Sequence, residues 1–201
     1  MDMPLDRRAE LLEKIVEALL ESGAADLSLR PLAERVGTSA RLLIYHFGSK
    51  DQLVASAIGQ VHADIAASLS VRAAGEQPAS LRALLTMFWS WATEPGNHSH
   101  FRLLLEIDGL TLYDRIRFSE DFRRANSAFW TDLIDQAAAK LPRTGDRPTA
   151  RITLIFCALT GLLQEFLSSG DLEKTTAAFT ALIDLVAPGD ATPPQAQGSR
   201  S

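Results

Sequence analysis

The side chains best suited to chemistry lie close together in residues 28–50, where hydroxyls and cations alternate with apolar residues. Arg41 carries a planar guanidinium that can hydrogen-bond to the O6 and N7 atoms of guanine together, and Leu42 offers an apolar contact for a thymine methyl group. Groups that suit phosphate oxygens flank these two residues: Thr38, Ser39, Tyr45 and Lys50. These residue types predict a surface that reads base edges while it binds the DNA backbone.

Apolar periodicity and glycines divide this stretch into short helices. The apolar residues of the first helix share one face at the spacing i, i+3, i+4, i+7: Leu29, Leu32, Ala33 and Val36. Ser28 can cap this helix, and Gly37 ends it because glycine readily takes a positive φ. A third helix opens near Ser49, which with Gln52 has the pattern of a capping box.

The second helix is the one that exposes polar groups. Thr38 or Ser39 can cap it, and Gly48 ends it. With about 100° of rotation per residue, Leu43 and Phe47 lie on its inner face, and the base-reading residues lie roughly opposite. The first two helices then form a helix-turn-helix. Because one such unit reads few base pairs, we expect two copies on a near-palindrome, about 34–36 Å apart.

Several residue types at fixed offsets resemble a known family. Residues 43–47 read Leu-Ile-Tyr-His-Phe and are followed by Lys50, Asp51 and Leu53. This pattern resembles the N-terminal domain of TetR/AcrR-type transcriptional regulators, over about residues 10–55. One position differs, because Ile44 stands where the family usually carries an aromatic residue that often contacts phosphate.

The resemblance implies a ligand-responsive transcriptional regulator, most often a repressor in this family. Such a protein binds a palindromic double-stranded DNA operator as a homodimer and is released by a small-molecule effector. The resemblance also adds His46 as a residue that contacts or supports the DNA. The complete set of predicted DNA-binding residues is Ser28, Thr38, Ser39, Arg41, Leu42, Tyr45, His46 and Lys50.

The charge distribution permits this function. The whole chain carries a net charge of −5, but residues 28–50 hold four Lys and Arg residues against Glu34 alone. Phosphate contacts depend on the surface that faces the DNA rather than on the whole chain. The acidity elsewhere should lower non-specific affinity and still allow a specific dimeric site.

The composition is typical of a globular protein, with 46% hydrophobic and 22% charged residues in a chain of 201. The one cysteine, Cys157, excludes an intramolecular disulfide, and its apolar neighbours predict a core position. The first residues lack the pattern of a signal peptide, and the most apolar run, residues 152–163, is too short to span a bilayer. These features predict a cytoplasmic protein.

The remaining periodicity predicts an all-α fold of about nine helices. The predicted domains are a helix-turn-helix DNA-binding domain at 1–49, a larger helical ligand-binding and dimerisation domain at 50–187 and a disordered tail at 188–201. Other local predictions are a loose arm at 1–6, a turn at 73–78, a helical segment at 110–118, a helix at about 120–141 and a loop at 142–147.

Aromatic residues recur at helical spacing in the central helices, which is typical of either a packed core or a ligand pocket. Both interpretations stay open for each residue. The candidate wall residues are Phe88, Trp89, Phe101, Leu105, Tyr113, Phe122, Phe129, Trp130 and Phe156, and the candidate polar groups are Glu106, Asp108 and Gln164. The sequence does not name the ligand, which should be partly apolar.

The helix that follows residue 148 is apolar over a wide arc, so it must be covered on two sides. A second copy of the chain is the natural second cover, with the last two helices of each copy forming a four-helix bundle. The predicted interface residues are Leu154, Ala158, Gly161, Leu162, Phe179, Leu182, Leu185 and Val186.

Other functions have less support. A helical small-molecule-binding protein that keeps this fold without specific DNA binding is the main alternative, and Ile44 and the acidic balance favour it. An architectural DNA binder would not need so large and aromatic a second domain. No catalytic motif indicates an enzyme, and no cofactor is predicted. No metal is predicted either, because His98 and His100 would project about 200° apart on a helix.

Overall fold

The computed structural model describes residues 4–139 and 149–188. Within these ranges the fold is all-α, as predicted, and a short 3₁₀ turn, Pro95–Asn97, precedes the sixth helix. The nine α-helices of the described residues are α1 Pro4–Ser22, α2 Leu29–Arg35, α3 Ala40–Phe47, α4 Lys50–Glu76, α5 Leu81–Ala92, α6 His98–Leu112, α7 Glu120–Ala139, α8 Thr149–Ser169 and α9 Leu172–Val186.

The first three helices share a small apolar core. Leu11, Ile15 and Leu19 of α1 are buried together with Leu32 of α2 and Leu43 of α3. Burying a leucine or isoleucine side chain contributes about 1.5–3 kcal/mol. This burial orders α2 and α3, which have only seven and eight residues and would not be stable helices in isolation.

α4 runs through both halves of the chain. It packs against α1 and α3 and also against α5 and α7. Leu53, Val54, Val61 and Ile65 on its inner face are each at most 1% exposed. α4 therefore joins the first three helices, which we call the reading domain, to the rest of the described chain through one continuous helix with a buried inner face.

α1 begins earlier than predicted. Its first residue is Pro4, and proline suits a first turn because the N–H groups there have no intrahelical partner. The predicted loose arm is therefore wrong from residue 4 onward. Three predictions lie wholly or largely outside the described residues: the end of a helix near residue 141, the loop at 142–147 and the disordered tail at 188–201.

α4 continues to Glu76, so the turn predicted to begin at residue 73 is wrong for its first four residues. Arg72 Nε donates to Glu76 Oε1 at 2.7 Å, and this i,i+4 ion pair supports the last helical turn. Gln77 then ends the helix in the left-handed region, at φ 46°.

α6 ends at Leu112, so the helical prediction is wrong for residues 113–118. Ile116 in this irregular segment is only 2% exposed. The Arg117 N–H donates a hydrogen bond to Asp51 Oδ2 of α4 at 3.1 Å. This burial and this hydrogen bond help to hold the segment without a helical backbone.

α8 packs against α6, α7 and α9 and leaves one face uncovered. Cys157 lies on the exposed face, so its predicted core position is wrong. Phe179 and Val186 correct the predicted dimer surface, because they are 3% and 5% exposed and belong to the core of this chain. The other predicted interface residues are exposed or half-buried: Leu154, Ala158, Gly161, Leu162, Leu182 and Leu185.

A carboxylate from α6 holds the turn between α1 and α2. Glu106 accepts hydrogen bonds from the backbone N–H groups of Ala24 at 2.7 Å and Ala25 at 2.9 Å. Gly23 precedes them at φ 74°, and a Cβ atom added there would lie 2.6 Å from a Glu106 carboxylate oxygen. Glu106 is therefore a contact between the two halves of the chain, and its predicted role in orienting a ligand is wrong.

We expect Gly23→Ala to reduce the free energy of unfolding more than Gly37→Ala does. Both glycines have positive φ, at 74° and 71°, but an added Cβ at Gly37 meets nothing within 4 Å among the described residues. The conformational cost should be about 1 kcal/mol at each position. Gly23→Ala should lose roughly 1–2 kcal/mol more, because it displaces the hydrogen-bonded Glu106 carboxylate. Urea unfolding monitored by circular dichroism measures both variants.

The Glu106→Ala background provides the control for this comparison. Without the carboxylate, the two glycine substitutions should cost the same free energy of unfolding. If Gly23→Ala and Gly37→Ala reduce the free energy of unfolding equally in the parent chain, the Glu106 contact does not stabilise the turn.

Candidate nucleic-acid interface and central cavity

α3 is fixed at both ends and along its inner face. The Ser39 hydroxyl oxygen accepts a hydrogen bond from the Leu42 N–H at 3.2 Å, so Ser39 rather than its neighbour caps the helix. At the other end Gly48 takes φ 83° and its N–H donates to the Ile44 carbonyl at 2.8 Å. Leu43 is fully buried on the inner face. The opposite face is thereby held in a defined orientation.

The outer face of α3 is exposed although much of it is apolar or aromatic. The exposed fraction is 47% for Leu42, 40% for Ile44 and 77% for Tyr45. Arg41 is also exposed, and it makes no hydrogen bond or ion pair with the described residues. Large apolar side chains grouped on the surface of an ordered helix are typical of a surface that a partner covers.

Arg8 of α1 connects α3 to α4. Its Nε donates to the His46 carbonyl at 3.3 Å, and its Nη2 donates to the Ser56 hydroxyl at 3.2 Å. Its guanidinium carbon lies 4.9 Å from the centroid of the Phe47 ring. The half-buried His46 ring meets the Tyr45 ring edge-on at 5.1 Å. Arg8 thus fixes the end of α3, and His46 supports the exposed tyrosine.

The other predicted DNA-binding residues lie near helix starts. Ser28 is exposed before α2, but its side chain makes no capping hydrogen bond, so its predicted capping role is wrong. Thr38 is half-buried in the turn before α3, and Lys50 is the half-buried first residue of α4. Helix N-termini present free N–H groups and partial positive charge, which suit phosphate oxygens.

Fewer positive side chains are available for phosphate in residues 28–50 than the count of Lys and Arg residues in the sequence indicates. Arg35 forms an ion pair with Glu21 of α1, which lies outside residues 28–50, and its Nη1 donates to the Ser22 hydroxyl at 3.2 Å. Arg30 and Arg41 remain exposed. We therefore attribute the charge available for phosphate to fewer side chains than the local count indicates.

A cavity of about 730 Å³ lies among α4, α5, α6, α7 and α8. Its wall is mainly apolar and aromatic, with a few polar groups, and its volume is in the range of roughly 300–1,000 Å³ found for small-molecule sites. Six of the predicted ligand-binding residues line it: Phe88, Phe101, Leu105, Asp108, Trp130 and Phe156.

Besides Glu106, five further predicted ligand-binding residues do not line the cavity, which corrects the prediction: Trp89, Tyr113, Phe122, Phe129 and Gln164. Trp89 is 4% exposed, and its indole N–H donates to Thr176 Oγ1 at 3.0 Å. Tyr113 is 81% exposed on the surface, whereas the Phe122 ring packs 4.4 Å from that of Phe118. Helical spacing identifies inward-facing residues but not the side on which a cavity opens.

His62 of α4 lines the cavity and was not among the predicted residues. The sequence feature that could have identified it is a polar residue within an apolar helical stripe, between Ile58 and Ile65. Its ring stacks on Phe129, with 3.9 Å between centroids and 5° between planes, and it is 8% exposed. Its Nε2 is buried and has no hydrogen-bond partner among the described residues. Burial lowers the pKa of His62 to about 4, so the imidazole is neutral.

α6 lines the cavity with one face and contacts the reading domain with another. Phe101, Leu105 and Asp108 share the cavity face at helical spacing. Asp108 is in part exposed to solvent, and the partial burial of its carboxyl raises its pKa. Glu106 binds the α1–α2 turn. Cavity and reading domain therefore share a single helix.

Comparisons with known proteins identify the family. Residues 11–57 match the family model described as bacterial regulatory proteins, tetR family. The chain is 25% identical to the HTH-type transcriptional repressor AcnR of Corynebacterium efficiens, over 92% of this chain and 93% of AcnR. The chain therefore carries the N-terminal domain of the TetR family and resembles TetR-family regulators along almost its whole length. It therefore has the family's N-terminal helix-turn-helix domain followed by a helical C-terminal domain.

Two further relatives agree with this assignment. The HTH-type transcriptional regulator BetI 1 of Chromohalobacter salexigens is 34% identical over 70% of this chain and 60% of that protein. A crystal structure described as a TetR-family regulator from Rhodococcus sp. superposes with a TM-score of 0.67 and 25% identity, over 90% of this chain and 97% of that chain. The family resemblance drawn from residues 43–53 is confirmed.

These matches indicate the class of activity. TetR-family proteins are DNA-binding transcriptional regulators and not enzymes, so this chain is a transcriptional regulator. Regulators of this family are soluble cytoplasmic proteins. Among the described residues one segment, Ala150–Ser169 of α8, is long and apolar enough to cross a membrane. This is weak evidence for a membrane span, because α8 packs against α6, α7 and α9.

We expect His62 to make the TetR-family fold sensitive to acid. Its pKa is lowered from 6.5 to about 4, so the unfolded chain binds a proton in this range more readily than the folded chain does. Stability should therefore fall as the pH drops below about 6.5. Between about pH 6.5 and 4.5 the parent should lose about 2 kcal/mol more free energy of unfolding than His62→Phe.

Urea unfolding at both pH values measures this difference, and Phe at position 62 preserves a ring to stack on Phe129. Other groups titrate in both proteins and cancel in the comparison. The same pH dependence in parent and variant would rule out a buried neutral His62.

Proposed function

We propose that this protein is a cytoplasmic repressor that binds a palindromic operator as a homodimer and leaves it when a small, partly apolar molecule occupies the central cavity. The observation that carries the proposal is the geometry of α3. One face is buried, both ends are capped, and the other face presents Arg41, Leu42 and Tyr45 to solvent. A short helix held in this way suits the major groove.

Each side chain of this surface has a proposed role. Arg41 binds a guanine edge with its planar guanidinium, and Leu42 contacts a thymine methyl group. Tyr45 and Lys50 bind phosphate oxygens, and His46 supports Tyr45. Ser28, Thr38 and Ser39 add hydroxyl or N–H contacts to the backbone near the starts of α2 and α3. Ile44 adds an apolar contact where the family usually has an aromatic residue.

The homodimer is proposed from the uncovered face of α8 and α9. Leu154 and Leu185 are 57% and 80% exposed, and an added Cβ at Gly161 would meet nothing within 4 Å among the described residues. Small and apolar residues allow two helix pairs to approach closely and exclude water. A second copy placed on the same face by two-fold symmetry would bury these residues in a four-helix bundle.

Release by a ligand is proposed from the helices that the cavity shares with the reading domain. α4 carries His62 in the wall and continues from α3, and α6 carries Asp108 in the wall and Glu106 on the α1–α2 turn. A ligand changes DNA affinity only if it binds one arrangement of these helices better than the other. Filling the cavity would change the packing of both helices.

Selection from a random DNA pool tests the operator. We expect an enriched palindrome with half-sites about one helical turn apart. Arg41→Ala should lower affinity for it by about 1–3 kcal/mol and relax one base position in each half-site. Arg124→Ala is the matched control, because Arg124 is exposed on α7 and paired only locally, with Asp121, among the described residues. An unenriched pool would support a ligand-binding protein that keeps the fold without specific DNA binding.

Sedimentation equilibrium tests the dimer. Leu185→Lys should raise the dimer dissociation constant at least about tenfold, because a lysine ammonium would be buried without a partner. Leu112→Lys is the matched control, since Leu112 is 84% exposed at the end of α6 and outside the proposed interface. Equal effects of the two substitutions would exclude the α8–α9 face as the dimer interface.

A further inference from the structure

The polar groups of the cavity have one sign of charge. Among the lining residues that the structure describes, Asp108 is the one carboxylate, and none is a lysine or an arginine. The other polar members are uncharged at neutral pH, His62 included. An anionic ligand would find no ion partner in this described wall and would meet a like charge, whereas a cation would find an opposite charge.

The aromatic residues of the wall reinforce this preference. Phe88, Phe101 and Trp130 line the cavity together, and the centroids of their rings lie 6.0–6.3 Å apart. The faces of aromatic rings carry partial negative charge, so they attract cations and not anions. The apolar surface of these three rings also suits a ligand with an apolar body of similar size.

His62 provides an unpaired hydrogen-bonding atom in the same wall. Its Nε2 is buried without a partner among the described residues, and its side chain is 8% exposed. Leaving a buried ring nitrogen unpaired is costly unless a bound molecule pairs with it. A neutral imidazole nitrogen can accept a hydrogen bond from an N–H donor.

We propose that the effector is an amphiphilic amine: a protonated amino group that pairs with Asp108 and donates an N–H to His62 Nε2, on an apolar body about the size of two aromatic rings. The apolar body packs against Phe88, Phe101 and Trp130. This inference rests on the proposed function, because it specifies the ligand of the same regulatory cavity. It excludes carboxylates and phosphate esters as the effector class.

Three probes with one apolar body test the charge preference: 3,3-diphenylpropylammonium, 3,3-diphenylpropan-1-ol and 3,3-diphenylpropanoate. Isothermal titration calorimetry on the full chain at neutral pH gives the affinity of each. We expect the ammonium to bind at least tenfold more tightly than the alcohol, and the carboxylate to bind more weakly than the alcohol. A carboxylate that binds as tightly as the ammonium would overturn the proposal.

Two variants assign the preference to residues. Asp108→Asn keeps the size of the side chain and should reduce the ammonium-to-alcohol ratio to less than threefold. Asp132→Asn is the matched control, because Asp132 is an exposed acid of α7 outside the cavity, and it should leave the ratio unchanged. His62→Phe should weaken ammonium binding at least threefold. An unchanged ratio in Asp108→Asn would overturn the assignment to this carboxylate.

A separate DNA measurement distinguishes this inference from the proposed function. The same preparation is titrated with its selected operator, first alone and then with each probe. Operator binding together with equal affinity for all three probes overturns the amine but leaves the regulator. Failure of every probe to bind overturns both the amine and the cavity as an effector site. If no operator is selected, the repressor fails, whereas the calorimetric ratios still decide the charge preference.

Discussion

The burial of one face of α4 is the constraint on which the rest of the structure depends. Leu53 near the start of this helix and Leu69 toward its end belong to one continuous apolar cluster, which also includes Leu11 of α1 and Ile155 of α8. Because protein interiors are close-packed, α4 cannot shift at its cavity end without moving the helices packed at its other end. The helix that lines the cavity is therefore also the helix that packs against α3.

Polar contacts add direction to this packing, because apolar contacts alone define orientation poorly. Arg8 fixes the end of α3 against α4 through the His46 carbonyl and the Ser56 hydroxyl. Glu106 fixes α6 against the α1–α2 turn by accepting two backbone N–H bonds. A carboxylate that pairs with backbone donors of a distant segment is sensitive to displacements of less than an ångström. These few contacts fix how the first three helices lie against α4 and α6.

The cavity carries features that a core built only for stability would lack. A buried imidazole without a partner reduces the stability of the protein, and partial burial raises the pKa of the Asp108 carboxyl. An apolar residue in place of His62 would fill the space without that cost. Groups of this kind are explained when a ligand completes them, and the same groups then determine which ligand is bound. In the proposed ligand site, stability and ligand selectivity are thus opposed at His62.

The sequence by itself determined the all-α class, the helix-turn-helix and the two faces of α3, because helical periodicity, capping residues and glycines act within a few positions along the chain. Only the tertiary structure decided which aromatic residues line the cavity. Phe88 lines it, whereas its neighbour Trp89 is buried elsewhere in the core, because packing sets the direction in which each side chain points. The tertiary structure also decided the role of Glu106, whose partner Ala24 lies 82 residues away. Contacts between distant segments depend on how helices cross, and local sequence patterns carry no information about that crossing.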